Sequence, residues 1–271
     1  VGHTFGLMHN FIGSQFHSIQ EIQDPVLGAT VGLTASVMDY TIPNISGDKT
    51  KQGLFFDTKP GLYDKWAIQY GYTSIENEDE EKNALQKILS ESVKKENRFK
   101  NDADDMRNTG KGIDPRGNLF DMSDDAITYA VGNIKLVNEA LPKLLTKYST
   151  NNKSYHELRS AYLSLSPHYA RSLNVINRYI GGVYVNRNLA GQDAATKPFT
   201  PIPLEDQKRA MQAITKYAFS KNAFNVPNEI YNYLQMQRRG QEFRKETEDP
   251  KIHDRVLNIQ RGVLDQLLNG V

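Results

Sequence analysis

The first nine residues constrain the fold and the chemistry of this chain more than any other segment. They place His3, Gly6 and His9 in the spacing His-x-x-Gly-x-x-His. Glycine adopts the left-handed backbone conformation without steric cost, so we expect a helix that carries His3 to end at Gly6. The chain would then turn back and bring His9 to the same metal ion, and imidazole nitrogens are common zinc ligands. The alternative is a pair of core or surface histidines near a helix end.

A second segment, residues 36–40, reads Ser-Val-Met-Asp-Tyr. It resembles the Met-turn of metzincins, the tight turn that places a methionine beneath the zinc ligands. The histidine segment likewise matches the second half of the extended motif H-E-x-x-H-x-x-G-x-x-H. A lone methionine is usually core filler, but Met38 follows the histidines in the order that the metzincin pattern requires. Two separated motifs therefore favour a zinc site over chance spacing.

The resemblance implies a mechanism for the complete motif. Three histidines would leave the fourth zinc position for water, whose pKa the metal lowers toward about 7. The motif glutamate would accept the proton as the water attacks a peptide carbonyl. Tyr40 stands where the astacin-like and serralysin-like branches carry a tyrosine, and we expect its hydroxyl to stabilise the tetrahedral intermediate. The alternative is a buried tyrosine that is hydrogen-bonded to the backbone.

Most of the chain is similar to a family of large bacterial zinc-dependent metalloproteases. The similarity includes Asn10 and Phe11 and residues 36–40, 61–68, 114–116, 123–126, 179–184 and 207–210. It implies a zinc endopeptidase that acts on protein or peptide substrates in an extracytoplasmic setting, whether periplasmic, surface-bound or secreted. The alternatives are a non-catalytic binding or structural module on a protease-like core, and a helical scaffold that docks the protease onto a glycan or a surface partner.

The chain departs from the family pattern at its start. A His and a Glu of the full motif are expected immediately before Val1, so this polypeptide would supply His3 and His9 but lack one ligand and the general base. We expect the isolated chain to bind zinc poorly and to be inactive. The long connection between His9 and Met38 leads us to expect that residues 10–35 line the substrate cleft.

The hydrophobic periodicity predicts a mainly α fold. Residues 1–72 would form the C-terminal part of a metzincin catalytic domain, with the zinc-motif end and the Met-turn, and residues 73–271 a helical domain packed on it. Within this plan we expect a helix that ends at Gly71, a helix capped by Ser123, a helix that Pro167 breaks or kinks, and a brief strand in residues 181–185. The last helix would be capped by Asp249 with Pro250 at its first position.

Composition excludes several classes of function. The chain has 33 basic and 32 acidic side chains, for a formal charge of +1, which gives no electrostatic case for binding nucleic acid. It contains no cysteine, so no thiolate metal site is expected. No apolar run reaches the roughly 18 residues that a membrane-spanning helix needs. The sequence does not indicate the oligomeric state.

Two other groups of residues invite a metal assignment. His17 follows His9 by eight positions, but its surroundings fit a loop and we do not expect it to bind zinc. Asp102, Asp104 and Asp105 could suggest calcium, yet they lack the twelve-residue loop with its glycine and closing glutamate. A solvated turn is the better interpretation of these carboxylates.

Overall fold

A computed structural model describes residues 1–105, 112–192, 196–236 and 249–269, and these residues are mainly helical, which confirms the predicted class. Seven short 3-10 helices lie at Gly2–Phe5, Gly13–Gln15, Lys49–Lys51, Ser90–Val93, Lys95–Asn97, Leu141–Lys143 and Asn228–Tyr233, and a π-helical turn covers Thr215–Phe219. The α-helices of the described ranges are α1 (Ile19–Ile22), α2 (Pro25–Thr30), α3 (Leu62–Tyr72), α4 (Glu78–Leu89), α5 (Asp102–Asp105), α6 (Ala126–Ala140), α7 (Leu144–Tyr148), α8 (His156–Asn177), α9 (Leu204–Ile214) and α10 (Ile252–Leu268).

The main hydrophobic core lies between α6, α8, α9 and α10. Apolar residues of each helix recur on one face, which is the face that turns inward. Together with neighbouring segments they form one buried cluster, and its fully buried members include Ile134, Leu158, Leu173, Ile176 and Ile214. The main core is therefore built from residues after position 125.

Strand β1 (Val183–Val185) confirms the strand expected in residues 181–185. It pairs antiparallel with β2 (Phe199–Pro201), with Tyr184 opposite Thr200. The Val185 N–H also donates to the Asp114 carboxylate over 2.7 Å, which fixes the end of β1 beside the segment that precedes α6.

The first part of the chain has short helices with strong local capping. Ser18 caps α1 through a reciprocal pair of hydrogen bonds with Glu21, and Asp24 caps α2, which begins with Pro25. Such signals fix where short helices begin even though these helices have little packing of their own. A small second core of Ile22, Leu33, Met122 and Tyr129 lies beneath them.

Several hydrogen bonds join residues before and after position 72. The buried Asn44 amide donates to the carbonyls of Ile22 and Leu54, and its oxygen accepts from the Tyr129 hydroxyl of α6. The Phe11 N–H donates to the Lys100 carbonyl over 2.7 Å. The division into residues 1–72 and 73–271 stays a prediction. The hydrogen bonds of Asn44 with Tyr129 and of Phe11 with Lys100 cross that boundary.

Several predicted helix boundaries differ from the structure. Gly71 lies inside α3, which ends one residue later because Thr73 takes an extended conformation. Asp125, not Ser123, caps α6, because Ser123 has a φ of +68° and forms the turn before the helix. Both residue types cap well, and the backbone decides between them.

The remaining differences concern proline. Helix α8 runs through Pro167 without a break, because the side chains of Tyr162 and Tyr169, on either side of it, are buried in the core. Helix α10 begins at Ile252, after Pro250, since Lys251 has a φ of +50°. Asp249 accepts a hydrogen bond from the Lys251 N–H at this turn instead of capping the helix.

Within the described ranges, every helix is too short or too polar to cross a lipid bilayer.

Candidate metal centre

His3 lies on the 3-10 helix Gly2–Phe5, which ends at Gly6 with a φ of +78°. The left-handed conformation expected from the spacing is therefore present, although the turn before it is a 3-10 helix. The Gly6 N–H donates to the His3 carbonyl over 3.1 Å, and the Leu7 N–H donates to the Gly2 carbonyl over 3.2 Å. These bonds reverse the chain, so that His9 returns toward His3.

The two imidazole rings are neighbours. The centroids of His3 and His9 are 4.9 Å apart, and the ring planes meet edge to face at 76°. Zinc–nitrogen bonds are about 2 Å long, so two ligands of one ion must have rings this close. The His9 ring also stacks on Phe11, with a centroid distance of 5.3 Å, which restricts its rotation.

The hydrogen bonds of each ring determine which nitrogen can bind a metal. His3 Nδ1 lies 2.8 Å from the Leu7 carbonyl oxygen, and His9 Nδ1 lies 2.8 Å from Asp102 Oδ2. A carbonyl and an ionised carboxylate only accept hydrogen bonds, so Nδ1 carries the proton in both rings. In a neutral imidazole, Nε2 then keeps its lone pair. The neutral form of each histidine is therefore the tautomer that binds a metal through Nε2.

Asp102 is a site residue that the sequence did not reveal. It was interpreted as part of a solvated turn, and its side chain is indeed 53% exposed, but one carboxylate oxygen contacts His9. The contact joins residues 93 positions apart. No local pattern signals such a contact, because it depends on how residues 97–102 pack against the start of the chain.

The turn that contains Met38 is held by a buried carboxylate. The Asp39 N–H donates to the Ser36 carbonyl over 3.4 Å, which closes a four-residue turn. Asp64 of α3, only 3% exposed, accepts hydrogen bonds from the Ser36 hydroxyl and the Val37 N–H. It also accepts from the Gly61 N–H over 2.8 Å. One side chain thus joins this turn to the start of α3.

Glycine is required at position 61 by this arrangement. A Cβ built on Gly61 would overlap the carbonyl of Ala35, so any side chain there would push α3 away from the turn. The same short distance lets the Tyr63 N–H donate to the Ala35 carbonyl over 2.9 Å.

Met38 lies directly against the histidine segment. A Cβ built on Gly2 would overlap the Met38 sulfur, and the Asn10 N–H donates to the Met38 carbonyl over 3.1 Å. Met38 is therefore in contact with residues adjacent to both His3 and His9. It is buried, with 8% of its surface exposed, and packs against the backbone on either side of the two histidines.

Tyr40 stands beside His9 and faces solvent. The centroids of the two rings are 4.9 Å apart, and Tyr40 is 47% exposed. Its hydroxyl has no hydrogen-bond partner among the residues that the structure describes. The alternative of a buried, backbone-bonded tyrosine does not match this environment, and the catalytic role of Tyr40 stays a prediction.

The Nε2 atoms of His3 and His9 suit zinc as ligands, but two ligands are fewer than a zinc site requires. Two imidazoles with Nε2 lone pairs and outer partners on Nδ1 are the usual histidine half of such a site. In the described ranges, no group of three or more His, Asp or Glu side chains is placed to hold a metal ion. The assignment of His3 and His9 as metal ligands stays a prediction.

Two carboxyl groups meet at Ser14: that of Asp39, the last residue of the Met38 turn, and that of the buried Asp121. The Ser14 N–H donates to Asp39 Oδ2 over 2.7 Å, and the Ser14 hydroxyl donates to Asp121 Oδ1 over 2.7 Å. Burial and the nearby charge of Asp121 raise the pKa of Asp39 well above its usual value. Burial raises the pKa of Asp121 to about 7, although Gln15 and Ser14 donate hydrogen bonds to it.

His17 and part of residues 10–35, the connection between the two motifs, are buried. His17 is buried, and its Nδ1 lies 3.8 Å from Glu21 Oε2. Burial lowers the pKa of His17, so its neutral form is favoured. Much of residues 10–15 is also buried, so this part of the connection belongs to the interior. Lining of a substrate cleft by the rest of residues 10–35 stays a prediction.

Comparison with known proteins gives one match. A protein-family model described as Met-zincin matches residues 1–271, the whole chain. No curated protein matches the chain, and no solved structure matches it.

The buried carboxyl pair predicts how stability depends on pH. Groups whose pKa is raised by folding, here from about 3.9 in the unfolded chain to about 7 for Asp121, bind more protons in the folded state. Stability therefore falls as pH rises through this window. Asp39→Asn removes one of the two charges, so the free energy of unfolding at pH 8 should rise by at least about 1.4 kcal/mol, the equivalent of one pKa unit.

Urea unfolding at pH 5, 6.5 and 8 measures this effect. The exposed Asp79→Asn serves as the matched control and should leave the pH profile unchanged. Equal pH profiles for Asp39→Asn and the unsubstituted protein would show that the pair does not titrate in this range.

The contact between His9 and Asp102 predicts a role in metal affinity. Loss of an outer partner of a ligating histidine typically costs about 10- to 100-fold in metal affinity. Asp102→Ala should therefore weaken zinc binding by about this factor in the intact protein, and Asp79→Ala should not. Chelator competition measures the affinity, and ¹⁵N shifts of His9 in metal-free protein report its tautomer. Unchanged affinity and unchanged shifts in Asp102→Ala would contradict the assignment.

Proposed function

The chain belongs to the Met-zincin family, and from this membership we propose that it supplies two zinc ligands, His3 and His9, to a zinc-dependent endopeptidase. The family indicates a zinc metalloprotease in general. The observation that carries the specific assignment is that both adjacent rings keep Nε2 available, because Nδ1 of each donates to an acceptor. Two unrelated histidines would have no reason to share this arrangement beside a buried methionine turn.

Each residue of the site has a distinct task in this proposal. Zinc, when bound, acts as a Lewis acid that lowers the pKa of water and polarises a peptide carbonyl. His3 and His9 hold it, Asp102 fixes the orientation and tautomer of His9, and Met38 supports the rings from below. Tyr40, exposed beside His9, donates its hydroxyl hydrogen bond to the oxygen that becomes negatively charged as the carbonyl is attacked.

The complete site requires a further histidine and a general base. By the family resemblance these come from residues that precede Val1, in the order His-Glu. His3 and His9 alone bind zinc weakly, and without the glutamate no group removes the proton from the attacking water. The isolated chain of residues 1–271 is therefore an inactive part of the protease in this proposal.

The substrates in this proposal are proteins or peptides, and the setting is extracytoplasmic. The family membership supports the substrate class. The setting rests on the resemblance to exported bacterial metalloproteases described above.

Zinc dependence tests the proposed function directly. The intact protein, including the residues that precede Val1, should cleave casein, and a chelator should abolish cleavage until zinc is restored. His9→Ala should lower both zinc content and cleavage, while His156→Ala, on the distant start of α8, should change neither. Stoichiometric zinc without cleavage of casein or gelatin would instead support the non-catalytic module.

Tyr40→Phe tests the role of the tyrosine hydroxyl. Removal of one hydrogen-bond donor to a developing oxyanion typically lowers kcat by about 100- to 1,000-fold. We expect a loss of that order with zinc content unchanged, because Tyr40 is not one of the ligands. Tyr70→Phe, another partly exposed tyrosine, is the control. An unaltered turnover number in Tyr40→Phe would rule out the catalytic role.

A further inference from the structure

A cavity of about 590 Å³ lies beside the segment that carries Asp102. Its volume is in the range of about 300 to 1,000 Å³ that small-ligand sites occupy. One wall is aromatic: Trp66 of α3 lines it, and the rings of Tyr63 and Phe99 stack with centroids 5.7 Å apart. The function proposed above does not use this cavity.

The charges around the cavity are of one sign. Lys100 and three arginines line it, and among the described residues no carboxylate does. Lys100 and Arg116 share the buried Asp114, at 2.9 and 2.8 Å, and Arg187 pairs with Asp104 at 2.5 Å. Three of the four cations thus share two carboxylates, which leaves an excess of positive charge, and the fourth cation is Arg98.

The guanidinium of Arg98 has no hydrogen-bond or ion-pair partner in the described part of the chain. Desolvation lowers its pKa, the charge of Arg116 lowers it further, and Asp114 only partly opposes this. Arg98 is exposed to solvent, so an anion can reach it, and an arginine beside another cation is stabilised by the opposite charge. The planar guanidinium of an arginine can donate two parallel hydrogen bonds to one carboxylate.

The position of Arg98 relates the cavity to the candidate metal centre. The Asn10 side chain, next to His9, donates to the Arg98 carbonyl over 3.0 Å and accepts from the Lys100 N–H over 3.1 Å. Arg98 lies four residues before Asp102, the partner of His9, so at most about 14 Å of extended chain separates their Cα atoms. An extended peptide covers this distance with about four residues.

We propose that this cavity binds the carboxylate side chain of a Glu or Asp in the peptide substrate, a few residues from the bond to be cleaved, through Arg98. The proposal rests on the proposed protease function, because it assigns part of the substrate specificity of that site. The aromatic wall of Trp66 and Phe99 contacts the aliphatic part of the substrate side chain, and the arginine binds its charged end. Salt weakens the interaction, since it screens partly exposed charges.

Peptide binding to the intact protein, after zinc is removed with a chelator so that nothing is cleaved, tests the proposal. The probes are fluorescent, alanine-rich decapeptide amides with one Glu scanned through every position, each paired with a peptide that has Gln there. For at least one position, the Glu peptide should bind about tenfold or more tightly by anisotropy. Equal affinities of Glu and Gln peptides at all positions would overturn the proposal.

Variants show whether Arg98 is the cause. Arg98→Gln should abolish the preference for Glu, Arg98→Lys should retain part of it, and Arg261→Gln, on the exposed face of α10, should retain all of it. Thermal unfolding is measured for each variant. If Arg98→Gln does not fold, Arg187→Gln, whose side chain is 63% exposed, is the second variant and should reduce the preference. A preference that is unchanged in the folded variants would overturn the role of the cavity.

Two further measurements are needed. The first distinguishes a side-chain carboxylate from a C-terminal one, and the second shows whether the cavity proposal or the protease proposal fails. Peptides without Glu but with a free C-terminal carboxylate should bind no better than their amides; if they alone bind tightly, the side-chain assignment is wrong. Zinc-dependent cleavage without any preference for Glu would overturn the cavity proposal and leave the protease function intact. A preference that depends on Arg98 without any cleavage would support the cavity and overturn the protease function.

Discussion

The Asp64 carboxylate accepts hydrogen bonds from the Ser36 hydroxyl, the Val37 N–H and the Gly61 N–H, and the arrangement of the candidate site depends on it. Each of these donors is buried or partly buried, and leaving one without an acceptor costs about 1–3 kcal/mol. The carboxylate therefore keeps the turn and α3 in one relative position. Met38 sits in that turn, against the histidine segment, so the position of this contact depends on a residue of α3.

Residues far along the chain complete what the first forty residues begin. Asp102 orients His9, Asp121 bonds Ser14, and residues 98–100 run alongside Asn10 and Phe11. A short, glycine-rich segment with little core of its own is thus held by polar contacts from the later part of the chain. These contacts come from residues 98–121, which lie between α4 and α6 in the chain.

Local patterns were predictable from the sequence and long-range pairs were not. The left-handed Gly6 and the turn at residues 36–39 follow from residue types at fixed spacing, and so does the helical class. Asp102 and Arg98 had no such signal, because their partners or surroundings come from segments that are distant in sequence. The misplaced caps at Ser123 and Asp249 have another cause: positive φ values at Ser123 and Lys251 shift the helix start, and residue type alone does not report them.

The 93-residue separation between His9 and Asp102 has a consequence for how such a protein is made. Contacts of long sequence separation form late, since the intervening chain must first be ordered. Synthesis delivers the histidines well before the aspartate that orients one of them. In a chain still leaving the ribosome, the His9 ring therefore lacks its carboxylate partner until residue 102 has emerged and packed against the start of the chain.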